Sequence, residues 1–212
     1  MLKNKRILIT AGPTWVAIDK VRVLSNISTG QTGFLIAEQA LKEGAKVTLL
    51  LGPTINLSIG EPLKVIRFSF FDELMSLVQN ELKRGKYDVV IHAAAVSDYK
   101  LQNRINTKLK SGLKNLKLDL VPTPKLINKI KQINPKVFLV GFKLETASDK
   151  NRLIKSADNI FKKAKADLVV ANSIVGAHYS GLILDRQKNI LARATSRREM
   201  AIKLIKLLKE KL

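Results

Sequence analysis

Short apolar runs alternate with helical patterns along the first half of the chain, and this alternation strongly limits the fold. Four runs are almost continuously apolar, as in strands buried on both faces: KRILIT (5–10), KVTLLLG (46–52), LKVIRF (63–68) and YDVVIHAAAV (87–96). Apolar residues with helical spacing begin at Phe34 and stop before Gly44, and the same spacing recurs in 71–84. The order β-α-β-β-α-β predicts an α/β fold with a Rossmann-like, mostly parallel sheet flanked by helices.

The second half continues this pattern after an irregular, lysine-rich middle. Residues 100–112 predict a mobile loop, and LKLDLV (116–121) predicts a strand. A short helix follows, and we expect Thr123 to cap it with Pro124 in its first position. The remaining expected elements are a strand at 136–142, a helix at 149–165, a strand at 166–172, a β-hairpin at 180–193 and a helix at 196–211. No repeat or linker interrupts the chain, so we predict one domain, 1–212.

Charge and composition exclude several classes of protein. The chain carries 38 Lys and Arg against 17 Asp and Glu, and this net charge of +21 attracts anions such as nucleotides, phosphorylated metabolites or nucleic acid. There is no cysteine, which excludes disulfides and thiol nucleophiles, and two histidines offer little basis for a zinc site. No signal peptide or membrane-length apolar run occurs. We therefore expect a cytoplasmic protein without a membrane partner.

Small and polar residues follow several predicted strands, at the edge where open α/β sheets bind ligands. These residues are Gly12 and Thr14; Ala93, Ala94, Ser97 and Asp98; Gly141 and Phe142; and Asn172. Gly30 and Gly33 lie just before the first helix, where glycine lets a phosphate approach the free N–H groups of the helix start. Together they predict a nucleotide or phosphate site.

Two other functions remain open from the residues alone. An NAD(P)-dependent oxidoreductase would carry G-x-G-x-x-G, but AGPTW follows the first strand, and no tyrosine has a lysine four residues later. A nucleic-acid-binding protein of this fold would fit the charge, but aromatic residues are only 5% of the chain. The P-loop pattern G-x-x-x-x-G-K-[ST] is absent, which argues against a P-loop NTPase.

Six segments, in this order, resemble the phosphopantothenate–cysteine ligase family, the synthetase half of the bacterial bifunctional coenzyme A biosynthesis protein. They are AGPTWVAIDKVRVLSNISTGQTG (11–33), HAAAVSDYK (92–100), TKLKSG (107–112), LVPTPKLI (120–127), LVGFKLET (139–146) and ADLVVANSI (166–174). The chain departs from the family pattern at Pro13, Ala17 and Ser173, where glycine, an acidic residue and aspartate are usual. The flavin-dependent decarboxylase half is missing, so we expect a free-standing ligase or an excised domain, with a separate decarboxylase as a candidate partner.

The resemblance implies a ligase that joins 4′-phosphopantothenate to L-cysteine through an acyl-cytidylate intermediate, giving phosphopantothenoylcysteine, CMP and pyrophosphate. CTP is the expected co-substrate, with Mg²⁺, and ATP is the alternative nucleotide. The resemblance also implies a homodimer that binds no nucleic acid. We assign the hairpin 180–193 to dimerisation, since two strands alone are not stable.

Matched position by position, the resemblance assigns catalytic roles to Asn26, as a holder of the acyl group, and to Lys108, as a positive charge beside the α-phosphate. It assigns nucleotide binding to residues of several loops: Gly12, Thr14, Ser28, Thr29, Gly30, Ala93, Ala94, Asp98, Lys108, Pro124, Lys125, Leu126, Ile127, Phe142 and Lys163. Lys163 is chosen from three lysines of its helix that do not align securely, and no metal ligand is assigned. His92 is expected only to pack at the end of its strand.

Overall fold

The protein is described by a computed structural model over residues 2–54, 63–103, 105–112, 114–146 and 149–212. The strands are β1 (Arg6–Ala11), β2 (Trp15–Ala17), β3 (Val23–Ser25), β4 (Lys46–Leu51), β5 (Lys64–Arg67), β6 (Val89–His92), β7 (Tyr99–Leu101), β8 (Leu120–Pro122), β9 (Phe138–Glu145), β10 (Leu168–Val175), β11 (His178–Leu184) and β12 (Ile190–Ala194). The helices are α1 (Gln31–Lys42), α2 (Phe71–Arg84), α3 (Leu126–Ile133), α4 (Lys150–Ser156) and α5 (Arg197–Lys211), with a π-helical segment at Ile160–Ala164.

One eight-stranded sheet organises the fold, in the order β5-β4-β1-β6-β9-β10-β11-β12. The first six strands of this order are parallel, and β11 and β12 are antiparallel. Numbered along the chain, the parallel strands follow the Rossmann order 3-2-1-4-5-6. The predicted α/β class and mostly parallel sheet are confirmed, and the order reverses between β1 and β6, where ligands bind in such sheets.

Helices cover both faces of the sheet. On one face, Ile7 and Ile9 of β1 pack with α1 and α5, and on the other face Leu8 packs with α2 and α3. Successive side chains of a strand point to opposite faces, so a strand covered on both sides must be apolar throughout. This explains the continuous apolar runs in the sequence. In the described part of the chain, no helix has the length and apolar character needed to cross a bilayer.

The predicted hairpin at 180–193 is present as β11 and β12. It does not stand alone, because β11 also pairs with β10 from Val169 to Val175. The hairpin therefore extends the sheet within the chain, and its stability does not require a second subunit. Its role in dimerisation stays a prediction.

Two strands are shorter in the structure than the sequence predicts. The run 87–96 ends as a strand at His92, because the chain then turns to pair with the loop after β1, where the N–H of Ala95 donates to the carbonyl of Gly12 at 2.9 Å. The predicted strand 116–121 is observed only as β8, which pairs with β7 in a small sheet of its own. A second small sheet, β2 with β3, had no sequence signal.

The predicted start of α3 is wrong. The helix begins at Leu126, with Lys125 rather than Thr123 in the capping position, and Pro124 lies outside it. The hydroxyl of Thr123 donates to the carbonyl of Ser97 at 2.6 Å, and no side chain caps the helix. The Thr123 side chain, which sequence rules assign to the helix cap, thus connects the segment before α3 to the loop after β6.

The helix predicted at 149–165 is interrupted. Asp149 caps its first part, where the carboxylate accepts the N–H of Arg152 at 2.8 Å, and this part ends at Ser156. The N–H groups of Ile160 and Phe161 both point to the carbonyl of Ala157, at 3.0 and 3.1 Å, and the chain continues as the π-helical segment. Such segments are frequent at functional sites, and this one borders the cavity described next.

Candidate nucleotide site

The loop between β3 and α1 reaches across the reversal point of the sheet. The side-chain amide of Asn26 donates to the carbonyls of Ala95 and Val96, at 3.2 and 3.3 Å. Gly30 precedes α1 with φ of 71°, a conformation that favours glycine, and no side chain caps the helix. The predicted glycine- and hydroxyl-rich loop therefore does lie between the first strand and the first long helix, against the loop after β6.

Ser28 and Thr29 use their hydroxyls within this loop. The oxygen of Ser28 accepts the N–H of Gly30 at 3.5 Å, and that of Thr29 accepts the N–H of Gln31 at 3.4 Å. Hydrogen bonds of this length are weak, so an anion at the start of α1 can compete for the same N–H groups. The predicted phosphate contacts of this loop stay predictions.

Gly12 and Thr14 support the neighbouring loop. Besides the bond to Gly12, the carbonyl of Ala95 accepts the N–H of Thr14 at 3.3 Å. The buried hydroxyl of Thr14 accepts the N–H of Ser97 at 2.9 Å. The backbone of Ala93 continues the sheet, where its N–H donates to the carbonyl of Thr10 at 3.0 Å. These bonds fix the segment that leads to Asp98.

A cavity of about 360 Å³ opens at the carboxyl ends of β6 and β9, below α3 and the π-helical segment. Eight of the predicted nucleotide-binding residues line it: Ala94, Asp98, Pro124, Lys125, Leu126, Ile127, Phe142 and Lys163. The other predicted site residues do not line it: Gly12, Thr14, Asn26, Ser28, Thr29, Gly30, Ala93 and Lys108. Residues 92–143 thus supply most of a single concave site, and the loop of Asn26 lies beside it.

Two other cavities lie at the opposite edge of the sheet, near the amino ends of the strands. The larger, about 530 Å³, is lined by Arg6, Lys46 and Tyr87, among others. Parallel α/β sheets bind ligands at the carboxyl ends of their strands, so position rather than volume identifies the site.

Gly141 allows the elements around the cavity to pack closely on β9. A β-carbon at this position of β9 would lie 2.7 Å from Cγ2 of Ile160 and 3.0 Å from Cδ1 of Ile127. The missing side chain lets α3 and the π-helical segment pack directly on the sheet. The glycine of the Val-Gly-Phe segment is therefore a packing requirement of this site.

The mouth of the cavity is positively charged. Asp98 pairs with Lys125, and both side chains are exposed. Lys143 lies 3.6 Å from Glu145, and Lys163 forms no salt bridge with any residue in the described ranges. This arrangement attracts an anion and leaves lysines available to bind it.

Lys108 is exposed, and its segment is held by a buried carboxylate. Asp19 accepts the N–H of the next residue, Leu109, at 3.0 Å, and the N–H groups of Val21 and Arg22 at 2.8 Å each. Arg22 also forms an ion pair with Asp19 and donates to the carbonyl of Leu109 at 3.3 Å. The N–H of Leu109, followed by those of Val21 and Arg22, holds the pKa of Asp19 well below its usual range.

The first motif segment, residues 11–33, also contains Asp19 and Arg22, which the sequence patterns do not assign to the site. Their hydrogen bonds join the turn between β2 and β3 to the Lys108 segment, and β3 leads directly to Asn26. Both predicted catalytic residues are therefore carried by segments that are bonded to each other.

His92 is buried at the end of β6, as expected, and also lines the cavity. Its Nδ1 lies 2.8 Å from the hydroxyl oxygen of Thr10. Burial lowers the pKa of His92 to about 4, so the imidazole is neutral at physiological pH.

Among the residues that the structure describes, no three His, Asp or Glu side chains lie close enough together to hold a metal ion. Mg²⁺ that arrives with a nucleoside triphosphate needs few protein ligands, because phosphates and waters complete its shell. Asp98 is the carboxylate at the cavity that could contact such an ion. Mg²⁺ use stays a prediction.

Comparison with known proteins identifies the family. A family model described as the DNA/pantothenate metabolism flavoprotein C-terminal domain matches residues 2–211. The coenzyme A biosynthesis bifunctional protein CoaBC of Thermococcus kodakarensis is 44% identical over 173 residues, which are 82% of this chain and 42% of that protein. The chain thus spans less than half the length of this relative.

Two solved structures share the fold over nearly the whole chain. The DNA/pantothenate metabolism flavoprotein from Streptococcus pneumoniae superposes with a TM-score of 0.86 and 28% identity, covering 98% of this chain and 100% of that one. The C-terminal domain of CoaBC superposes with a TM-score of 0.79 and 26% identity, covering 99% and 96%. The resemblance found in the sequence motifs is confirmed, and the chain belongs to the family of the DNA/pantothenate metabolism flavoprotein C-terminal domain.

Proposed function

We propose that this chain is a ligase that joins 4′-phosphopantothenate to L-cysteine in coenzyme A biosynthesis, with CTP as the activating nucleotide. Membership of the family supports the reaction class. The observation that carries the proposal is the hydrogen bond of Asn26 to Ala95, which brings the motif loop of Asn26 against the loop that lines the cationic cavity. A site that activates a carboxylate needs such an arrangement of anion binding and positioning.

The proposed first step forms an acyl-nucleotide. A carboxylate oxygen of phosphopantothenate attacks the α-phosphorus of CTP, the α–β phosphoanhydride bond breaks, and pyrophosphate leaves. The cavity holds the nucleoside, with Phe142 against the base or ribose and Asp98 near a ribose hydroxyl. Lys108 and Lys163 stabilise negative charge on the phosphates, and Mg²⁺ offsets more of that charge when bound.

The proposed second step forms the amide. The amine of cysteine attacks the acyl carbonyl, loses a proton, and displaces CMP. Asn26 holds the substrate through its free amide oxygen, which can accept the amide N–H of phosphopantothenate or an N–H of the attacking amine without adding charge. The side chain is oriented for this by Ala95 and Val96, which occupy its N–H groups.

The choice of CTP rests on the small side chains at the wall of the cavity. Ala94 presents only a methyl group to the cavity and Ala93, just outside it, is equally small, which leaves room for a base to approach the backbone. ATP is the alternative that the same chemistry allows. We further propose that the protein works in the cytoplasm as a homodimer. The matched relative is a bifunctional protein, and the match covers 42% of it. We propose that a decarboxylase, on the same or on a separate chain, works together with this ligase.

The test is pyrophosphate release from purified protein with 4′-phosphopantothenate, cysteine and Mg²⁺, with CTP and ATP in parallel. We expect release with CTP that depends on phosphopantothenate. Release with ATP alone would keep the reaction and overturn the nucleotide assignment. No release with either nucleotide, from folded protein, would overturn the ligase proposal.

A further inference from the structure

The hydrogen bonds around Thr10 define where the proton of His92 lies. Thr10 is fully buried at the end of β1, and its hydroxyl oxygen contacts His92 Nδ1 at 2.8 Å and accepts the N–H of Ala94 at 3.2 Å. The hydroxyl proton of Thr10 has no other acceptor among the described residues. If Nδ1 carried the proton, this buried hydroxyl proton would be unpaired, which is costly. Thr10 therefore donates to Nδ1.

It follows that Nε2 carries the single proton of the neutral ring. The side chain is only 8% exposed, and its burial favours the neutral form at physiological pH. Nε2 is separated from Nδ1 by Cε1 and forms no hydrogen bond within the described ranges. The ring lines the cavity, together with Ala94 and Phe142. A fixed, uncharged N–H donor is thus present in the cavity wall without a protein partner.

We propose that His92 is a specificity-determining binding residue, which donates its Nε2–H to a carbonyl oxygen or ring nitrogen of the pyrimidine base. This inference rests on the proposed function, because it takes a nucleoside triphosphate as the ligand. The base rather than the phosphates is the partner for two reasons. A neutral donor among apolar residues such as Leu126 and Ile127 matches an uncharged acceptor, and the lysines at the mouth are better partners for phosphate.

Thr10 has a positioning role in this scheme. Its hydroxyl selects the Nε2–H tautomer, so the ring carries its donor on Nε2 before a ligand arrives. Thr10→Val should remove the preference for the Nε2–H tautomer of His92. Thr10→Ser should keep this preference because serine retains the hydroxyl. The pair therefore separates the tautomer effect from a general change in packing.

Nitrogen NMR of ¹⁵N-histidine-labelled protein tests the tautomer directly. The chain has two histidines, and His178→Gln leaves His92 as the single signal. At neutral pH we expect the pattern of a neutral ring protonated at Nε2, with a saturable shift of the Nε2 signal on addition of CTP. Thr10→Ser should give the same pattern and Thr10→Val a mixture of tautomers. Protonation at Nδ1, or CTP binding without a response of Nε2, would overturn the inference.

Binding measurements separate recognition of the base from a structural role. His92→Leu should weaken CTP binding by about 3- to 10-fold, the effect of losing one neutral hydrogen bond. It should leave the affinity for inorganic tripolyphosphate, which has no base, unchanged, and His92→Gln should recover part of the CTP affinity. Equal weakening for both ligands would show that His92 acts only through the fold.

The outcomes also distinguish this inference from the proposed function. If the wild-type protein binds CTP and releases pyrophosphate but His92 shows neither response, only the inference is wrong. If the wild-type protein binds tripolyphosphate but not CTP, the proposed nucleotide and the role of His92 are both wrong. Calorimetry with CTP and tripolyphosphate on the wild-type protein is therefore the first measurement.

Discussion

The side-chain amide nitrogen of Asn26 lies 3.2 Å from the carbonyl oxygen of Ala95, a residue 69 positions later in the chain. This bond joins the segment after β3 to the segment after β6, on the two sides of the point where the strand order reverses. Among described residues no group donates to the amide oxygen of Asn26, so that oxygen is available to a ligand. The loop after β6 thus orients the side chain of Asn26 and leaves its amide oxygen free to bind a ligand.

We expect Asn26→Ala to slow cysteine addition more than acyl-nucleotide formation. The free amide oxygen of Asn26 can accept an N–H of the attacking amine, and loss of such a positioned polar group costs about 10²-fold in rate or more. The activation step depends chiefly on cations. Pyrophosphate release in a single turnover measures the first step, and phosphopantothenoylcysteine formation measures both. Ser25→Ala, which removes only the hydroxyl that donates to the carbonyl of Asn26, is the matched control. Equal loss in both steps would contradict the role.

Asp19→Asn should free the segment that carries Lys108. The carboxylate accepts N–H groups from Val21, Arg22 and Leu109, and an amide cannot accept all of them. We expect kcat to fall more than the affinity for CTP, because Lys108 is proposed to act at the α-phosphate while the residues that line the cavity stay in place. Cleavage by trypsin after Lys108 or Lys110 should become faster. Asp119→Asn, an exposed carboxylate in the same region, should behave like the wild-type protein, and unchanged cleavage in Asp19→Asn would refute the anchoring role.

His92 should make stability depend on pH. The pKa of His92 falls from 6.5 to about 4 on burial, so below pH 6.5 the unfolded chain takes up a proton that the folded chain does not. The free energy of unfolding should therefore decrease as the pH falls from 6.5 towards 4, by at most about 1.4 kcal/mol per pH unit. Urea unfolding at several pH values measures this. The slope should be smaller in His92→Gln, and identical slopes in the two proteins would contradict the low pKa.

Gly141→Ala should damage the cavity through packing. The new methyl group would meet Ile160 and Ile127, and overpacking of this kind costs about 1–3 kcal/mol in stability. Lifting α3 and the π-helical segment should also weaken CTP binding. Ile160→Ala removes one of the two colliding groups, so the double variant should be less destabilised than the sum of the single variants. Strict additivity would argue against the collision.

The sheet was predictable from the sequence because burial on both faces leaves a strong local signal. Leu8 and Ile9 face opposite helical layers, and both must be apolar. The small sheet of β2 and β3 left no such signal, since its strands are three residues long and β3 is exposed. Its place in the fold depends on tertiary contacts rather than on a local pattern.

The site was predictable in part. The motif loops do meet at the carboxyl edge, because parallel strands bring their ends together whatever their distance in the chain. The anchoring of Leu109 by Asp19 joins residues 90 positions apart, and no local spacing encodes it. Thr123 shows the same limit, since its hydroxyl bonds to the distant Ser97 and the helix begins at Leu126, after the expected cap. The chemical roles of the site residues stay predictions.

The central position of β1 also has a consequence for synthesis. β1 lies between β4 and β6, yet the ribosome makes it before either neighbour. At about 5–20 residues per second, several seconds pass before Val89–His92 can pair with its open edge. During that time an almost wholly apolar strand has an unpaired side, the state in which chains aggregate. Chaperone dependence of the nascent chain should therefore be greatest before β6 emerges.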